Sequence, residues 1–380
     1  MAQILNTFLD MRQKDVKTNL LDHSEVKVRL LGQYLKRYLP ILSNVGYNQR
    51  IRLYDLFCGE GEYENGGEGS PLVILRAIKE LKESGVVNGP IPPMECQFND
   101  IDTKKVYKTR AAAEAKGLIA DSIARTQFTS NDYQDEIQKL AKLFPTLSKE
   151  KAFVFIDPYG YKHIRASDIK KLLQTKIAEV LLFLPTQFMY RFDQNGTPES
   201  LKDFIDELVE YENWKENDSV WKFIDQLKVG FRQYMGEQYF VDTFTIRKDA
   251  NTVFCLFFFS SHIRGFEKML EAKWDIDTEE GRGWEYDGNG PSLFYSHRTN
   301  PLEEKLKGFL EEPRSNSEVY EFTLHCGFLP THTVEVLTSW QNNGVLEVKL
   351  PDGTKARKNA FYISYDHFKK EPQKVTIKKK

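Results

Sequence analysis

Long apolar runs are missing from this sequence. No stretch approaches the ~20 apolar residues of a membrane-spanning helix, and the most apolar one, 253–259, has the length of a buried strand. Residues 1–15 lack the apolar segment of a secretory leader. A soluble, cytoplasmic chain with no membrane partner is therefore expected. Cysteine is scarce as well. Cys58, Cys96, Cys255 and Cys326 stand far apart and form no C-x-x-C pair. That argues against a zinc ribbon or a redox motif and fits reduced thiols, so no metal site is expected. Nor does one sign of charge dominate. The 53 basic and 55 acidic side chains leave a net charge of −2, which excludes a globally basic nucleic-acid binder but not a local basic patch.

What the chain does have is length and core material. At 380 residues with 41% hydrophobic and 13% aromatic residues, it suits two domains. Apolar residues at helical spacing, Val28, Leu31, Tyr34, Leu35, Tyr38 and Leu42, predict a helix over 24–42. Strands are predicted at 51–57, 94–98, 125–128, 152–156 and 178–184, with helices at 71–81, 104–116 and 166–173 between them. Nearly all-apolar strands alternating with helices imply a parallel sheet covered on both faces. The segments 239–246 and 252–260 have only a short polar connection and predict a closing antiparallel hairpin. Such a sheet is the architecture of class I methyltransferases: α/β, Rossmann-like, parallel and ending in an antiparallel hairpin.

The loop "DLFCGEGEYENGG" after the first strand carries Asp55, Phe57, Gly59 and Gly61. Glu64 stands where a dinucleotide fingerprint needs its third glycine, and the Gly-Lys-Ser/Thr of a Walker loop is absent. Acid-x-Phe-x-Gly-x-Gly is instead the form the first loop takes in S-adenosylmethionine (SAM) enzymes. A plain tight turn is the competing reading. The second strand delivers Asp100, with Asp102 as a fallback, where an acid would meet ribose hydroxyls; the third delivers Asn131 and Asp132 near an adenine edge. Any one such acid is more often a helix cap. Three successive strands ending in acids point to a ligand crevice.

The fourth strand ends in "FVFIDPYGYKH", 153–163. Asp157-Pro158-Tyr159-Gly160 resembles the Asp/Asn-Pro-Pro-Tyr signature of amino methyltransferases acting on bases, and is closer to the Asp-Pro-Phe/Tyr-Gly form of tRNA guanine-N2 methyltransferases. In this reading the Asp157 carboxylate and Pro158 carbonyl accept hydrogen bonds from an exocyclic amine. Tyr159 stacks on the base. One proline of the four-residue signature is missing, which leaves adenine, guanine and even a base substrate open. His23 and Lys27 lie four apart on the first helix, either on a solvated face, the commoner case, or covering the cofactor.

The pattern as a whole resembles the three-Cys-motif partner (TcmP) family of class I methyltransferases. The matching stretches run from "HSEVKVRLLGQYL" through "DLFCGEGEYENGGEGSPL" and "FIDPYG" to "FFFSSHIRGFEKMLEAKWDID". The resemblance implies SAM binding, a C-terminal winged helix, and a partner protein that carries the cysteines. The domain expectations are 1–295 for the methyltransferase-like domain, 301–365 for a winged helix-turn-helix, and 366–380 for a basic tail.

In that second domain, helices are predicted at 302–310, 316–326 and 331–341, followed by two β-like runs around Pro351-Asp352-Gly353. The third helix would be the reader, yet it offers His332, Thr333 and Glu335 and no arginine or lysine. From Val345 onward there are ten basic and four acidic residues. Lys349, Lys355, Arg357 and Lys358 sit on the wing, which favours electrostatic contact with nucleic acid over base reading, with protein docking as the rival. The expected function is methyl transfer to an exocyclic amine of a nucleic-acid base, RNA favoured over DNA. The alternative is a non-catalytic module that binds nucleic acid or a three-Cys-motif partner.

Overall fold

A computed structural model describes residues 22–46, 48–194, 198–210, 214, 217–249, 251–278, 281–285 and 300–380. Residues 1–15, searched above for a leader, and the end of the expected first domain, 286–295, lie outside these. The chain divides into two compact units. One is 1–261 with 284–286; the other is 262–283 with 287–380.

The first unit begins with α1 (Asp22–Asn44) and continues through β1 (Arg50–Asp55), α2 (Ser70–Ser84), β2 (Met94–Asn99), α3 (Thr103–Ala115), β3 (Arg125–Thr129), α4 (Tyr133–Leu143), β4 (Glu150–Ile156), α5 (Ala166–Leu173) and β5 (Ala178–Leu184). Three further helices follow, α6 (Thr186–Gln194), α7 (Glu199–Leu208) and α8 (Val220–Met235), before β6 (Phe240–Asp249) and β7 (Thr252–Ser260). The strands lie in the order 3-2-1-4-5-7-6, parallel except for β7, which runs antiparallel to both its neighbours. A short β8 (Gly283–Glu285) follows β6 at the edge. This is the sheet of class I methyltransferases.

The core strands β4, β5 and β7 are apolar on both faces because helices cover both. On one face α1 lays Tyr34 against Phe153 of β4 and Phe258 of β7, with ring centroids 5.5 and 5.1 Å apart. The Tyr34 hydroxyl donates to Glu179 of β5, whose other oxygen accepts from Ser260 at 2.8 Å. Those bonds satisfy a carboxyl group buried in the middle of the sheet; burial raises its pKa to about 8, against the Ser260 hydrogen bond. The opposite face packs α4, α5, α7 and α8 through residues such as Phe204, Phe223 and Phe231.

The second unit opens with α9 (Ile263–Ile276), then α10 (Asn300–Phe309), β9 (Arg314–Ser315), α11 (Asn316–His325), α12 (Pro330–Asn342), β10 (Leu346–Lys349), α13 (Tyr365–Lys370) and β11 (Thr376–Lys379). Ser315 and Glu318 form a reciprocal capping box at the start of α11. Helices α10 to α12 and the small sheet β10-β11-β9 make a winged helix. Two expectations change. Residues 366–380, expected as a basic tail, hold α13 and the central strand β11. The strand paired along β10 is β11, whose Ile377 is buried between exposed Thr376 and half-buried Lys378; the return run after Gly353 makes the bridge Lys349–Lys355. Helix α9 groups with this unit, not with the sheet.

Among the described residues no helix is long and apolar enough to cross a membrane. All four cysteines are free, three of them buried.

Candidate active site

Loops from β1, β2 and β4 converge at the carboxyl edge of the sheet, where open α/β sheets hold ligands. Asp55, the last residue of β1, is fully buried. Its Oδ1 accepts the Phe57 N–H at 3.2 Å, whereas its Oδ2 is buried without a hydrogen-bond partner. Burial pushes its pKa up to about 7, and the nearby Ser70 hydroxyl and Phe57 N–H pull it back only part of the way. An unsatisfied buried carboxylate oxygen costs stability and marks a place where a ligand can donate.

The glycines beside it serve close approach. Gly59 and Gly61 both have positive φ, +63° and +75°. A Cβ on Gly61 would lie 2.9 Å from Thr109 Cα in α3, and one on Gly69 would lie 2.9 Å from the Gly61 carbonyl oxygen. The loop is tied down from both sides. Gly59 N–H donates to Asp100 Oδ2 (3.2 Å), the Thr109 hydroxyl donates to the Gly59 carbonyl (2.7 Å), and Gly69 N–H donates to the Gly61 carbonyl (2.7 Å). Phe57 turns into the core and stacks on Tyr133 at 5.2 Å. Asp100 is buried at the end of β2, and its Oδ1 accepts the Asp102 N–H at 2.9 Å. Next to it Ile101 is 70% exposed, an apolar side chain at the mouth.

Asp102 and Asp132 both serve as helix caps, accepting the N–H of Lys104 (2.9 Å) and of Gln134 (2.8 Å). Asp132 is exposed. Asn131 at that strand end donates its amide to buried Glu136 at 2.6 Å.

Asp157 follows β4 and is partly buried, with Pro158 buried behind it. Tyr159 is 75% exposed, and the Lys105 ammonium lies 4.1 Å from its ring centroid while donating to its hydroxyl. Lys105 is on α3 and Tyr159 follows β4, so this contact joins the loops on either side of β1.

The reading of Lys27 as part of a solvated face does not hold. Lys27 is 9% exposed; its ammonium forms an ion pair with Asp157 Oδ2 and lies 4.6 Å from the centroid of Phe183, in β5. Burial would lower its pKa, but Asp157, Tyr63 and Asp55 together raise it above the usual lysine value. The side chain of His23 lies outside the described residues. Tyr63, half-buried in the glycine-rich loop, shares the same electrostatic neighbourhood, and burial raises its pKa. Tyr63 escaped the sequence reading, and Lys27 was assigned there to a solvated face as the commoner case. For Lys27 a signal existed: it is in phase with Leu31, Tyr34 and Tyr38, the stripe that α1 buries.

In the winged helix, His332 and Thr333 of α12 are buried. Trp274 of α9 packs on His332 with centroids 4.2 Å apart and donates its indole N–H to the Gly327 carbonyl at 3.0 Å. Gly281 admits that indole, since a Cβ there would fall 2.4 Å from the ring. Glu335 is exposed on α12, and no lysine or arginine stands on that helix.

Residues 275–353 match the family described as GMT-like wHTH domain. No curated protein matches the chain. Among solved structures, it is similar to an O-methyltransferase from Bacillus cereus in complex with SAH, at 10% identity and a TM-score of 0.33, covering 60% of this chain and 80% of that one. It is also similar to an rRNA methylase from Streptococcus thermophilus, at 8% identity and a TM-score of 0.30, covering 60% and 93%. A third is Trm1 from Pyrococcus horikoshii with S-adenosyl-L-methionine, at 9% identity and a TM-score of 0.34, covering 65% and 58%. Likenesses this distant leave the chemistry to the residues themselves.

Proposed function

We propose that this protein is a SAM-dependent methyltransferase whose acceptor is an exocyclic amine of a nucleic-acid base, RNA in preference to DNA. The observation that carries the reading is Asp55, a fully buried carboxyl at the end of β1 whose Oδ2 makes no well-formed hydrogen bond, the Ser70 hydroxyl being its nearby donor. A cationic amine such as the α-ammonium of SAM matches that oxygen in charge and hydrogen bonding. Gly59 and Gly61 let the backbone approach a ligand closely. Asp100, already oriented by two N–H groups, has lone pairs left for ribose hydroxyls. Ile101 offers an apolar face to a purine, and Asp132 stands at the far strand end. Bound SAM supplies an electrophilic methyl on a sulfonium.

The chain's own part is positioning. Asp157 and the Pro158 carbonyl accept hydrogen bonds from the two protons of a planar amine and hold its lone pair toward the cofactor. Tyr159, exposed at the mouth, offers a ring on which a base can stack. The resemblance to three-Cys-motif partners suggests a second protein in the assembly. Free cysteines and the composition suit a cytoplasmic setting.

Titration calorimetry with SAM, with Asp55→Ala as control, tests the cofactor site. Transfer of labelled methyl from SAM to total RNA and to DNA, by wild type and Asp157→Ala, tests the acceptor. Loss of SAM binding in the first variant and of transfer in the second is expected. Unchanged transfer by Asp157→Ala would refute the assignment of the acceptor pocket.

One observation favours a second reading, a non-catalytic module that binds a partner through its winged helix. Asp157, the group assigned to the acceptor, is already paired with Lys27. That reading requires Asp157→Ala to leave function intact.

A further inference from the structure

Lys27 is not needed to build α1. Its neighbours in the stripe, Leu31, Tyr34 and Tyr38, already bury that face of the helix. Placing an ammonium there costs desolvation, and the location is specific: Asp157, Asp55 and Tyr63 all lie within its electrostatic reach, with the Phe183 ring beneath it. If SAM binds as proposed above, two carboxylates face the region that takes a sulfonium. Methyl transfer disperses that positive charge. A bare carboxylate beside it would therefore stabilise the bound cofactor more than the transition state, which slows the reaction.

We infer that Lys27 is a charge-balancing positioning residue: it neutralises Asp157 through Oδ2, leaving Oδ1 to orient the acceptor amine without drawing in the cofactor's cation. The inference rests on the SAM reading and extends it to a residue outside the sequence motifs. It assigns Lys27 no proton transfer and no contact with the methyl group.

The test compares SAM with S-adenosylhomocysteine, which lacks the sulfonium charge, as titrants of the full chain. In Lys27→Met the unbalanced Asp157 should tighten SAM relative to S-adenosylhomocysteine by about tenfold. Lys27→Arg, which keeps the charge, should leave the ratio at its wild-type value. The double variant Lys27→Met with Asp157→Asn should restore that ratio, and it provides a pair free of buried charge should Lys27→Met alone fold poorly. An unchanged ratio in Lys27→Met, or equal weakening of both ligands, would reduce Lys27 to a structural role and overturn this inference alone. Wild-type protein that is folded yet binds neither ligand would overturn the cofactor reading and this inference with it.

Discussion

Burial holds the pKa of Asp55 at about 7, so the carboxylate is ionised in about half of the molecules at neutral pH. If Asp55 receives the α-ammonium of SAM, only the ionised fraction binds well. The apparent dissociation constant then scales with one plus the ratio of protonated to ionised Asp55. Between pH 7 and pH 6 that factor rises about fivefold, or ~1 kcal/mol. The ligand's own α-amino group titrates near pH ~7.7–8, so over this window SAM stays cationic and the protein supplies the slope. Calorimetric titration at pH 6.0, 6.5 and 7.0 (chosen as ~half-unit steps across that factor) should show the weakening, and Asp55→Asn should bind weakly with no slope. Equal affinity at all three values in wild type, or the same slope in Asp55→Asn, would refute the role given to this carboxylate.

Glu179 should govern stability with pH in the opposite sense. Its folded pKa, about 8, exceeds the unfolded value, so the native state holds the extra proton and stability falls as pH rises from about 4.5 to 8. Glu179→Gln should flatten that fall, by several kcal/mol in order of magnitude, in chemical denaturation across the range. Gly61→Ala forces a Cβ against Thr109 at positive φ; it should cost about 2 kcal/mol or more and abolish SAM binding, read by thermal shift and calorimetry. In the winged helix, Lys349 and Lys355 are paired across a β-bridge, and Glu347 balances the Lys349 ammonium at 2.9 Å, which leaves Lys355 the freer to meet a phosphate. Reversing both to glutamate should weaken RNA binding and lessen its salt dependence, the slope falling by ~0.7 for each phosphate no longer neutralised. Retained affinity with the same slope would remove the wing from the contact.

The sheet was legible because its strands are buried on both faces. "AFVFI" and "AEVLLFL" read as continuous apolar runs, and the acids and glycines after them mark the edge where a site can lie. Helices α6 to α8 were not read from the sequence. Only two of their boundaries carry plain signals, Ser219 at the start of α8 and Gly236 at its end. The wing was placed correctly but paired wrongly. Lysines mask the alternation in "TIKKK", and no local pattern shows that the strand beside β10 arrives nearly thirty residues later. Lys27 shows a different limit. Periodicity gives the face on which a residue lies, whereas its partner, Asp157, is 130 positions away. His332 and Thr333 were named on the reader helix because helix-turn-helix geometry alone does not reveal that Trp274 packs on His332 and that the Thr333 hydroxyl bonds to that of Thr323.

The glycine-rich loop after β1 is bound to its surroundings before any ligand arrives, through Asp100, Thr109 and the Gly69 amide. A loop already held in one conformation has little chain entropy left to lose on association. Its amides should exchange slowly with solvent in the free protein and change little in protection when ligand is added. Binding there should be fast and show a small heat-capacity change for its contact area, because no segment folds in the process. Substitutions that release the tether, such as Thr109→Ala, should then act through the cost of ordering the loop and slow association more than they speed dissociation.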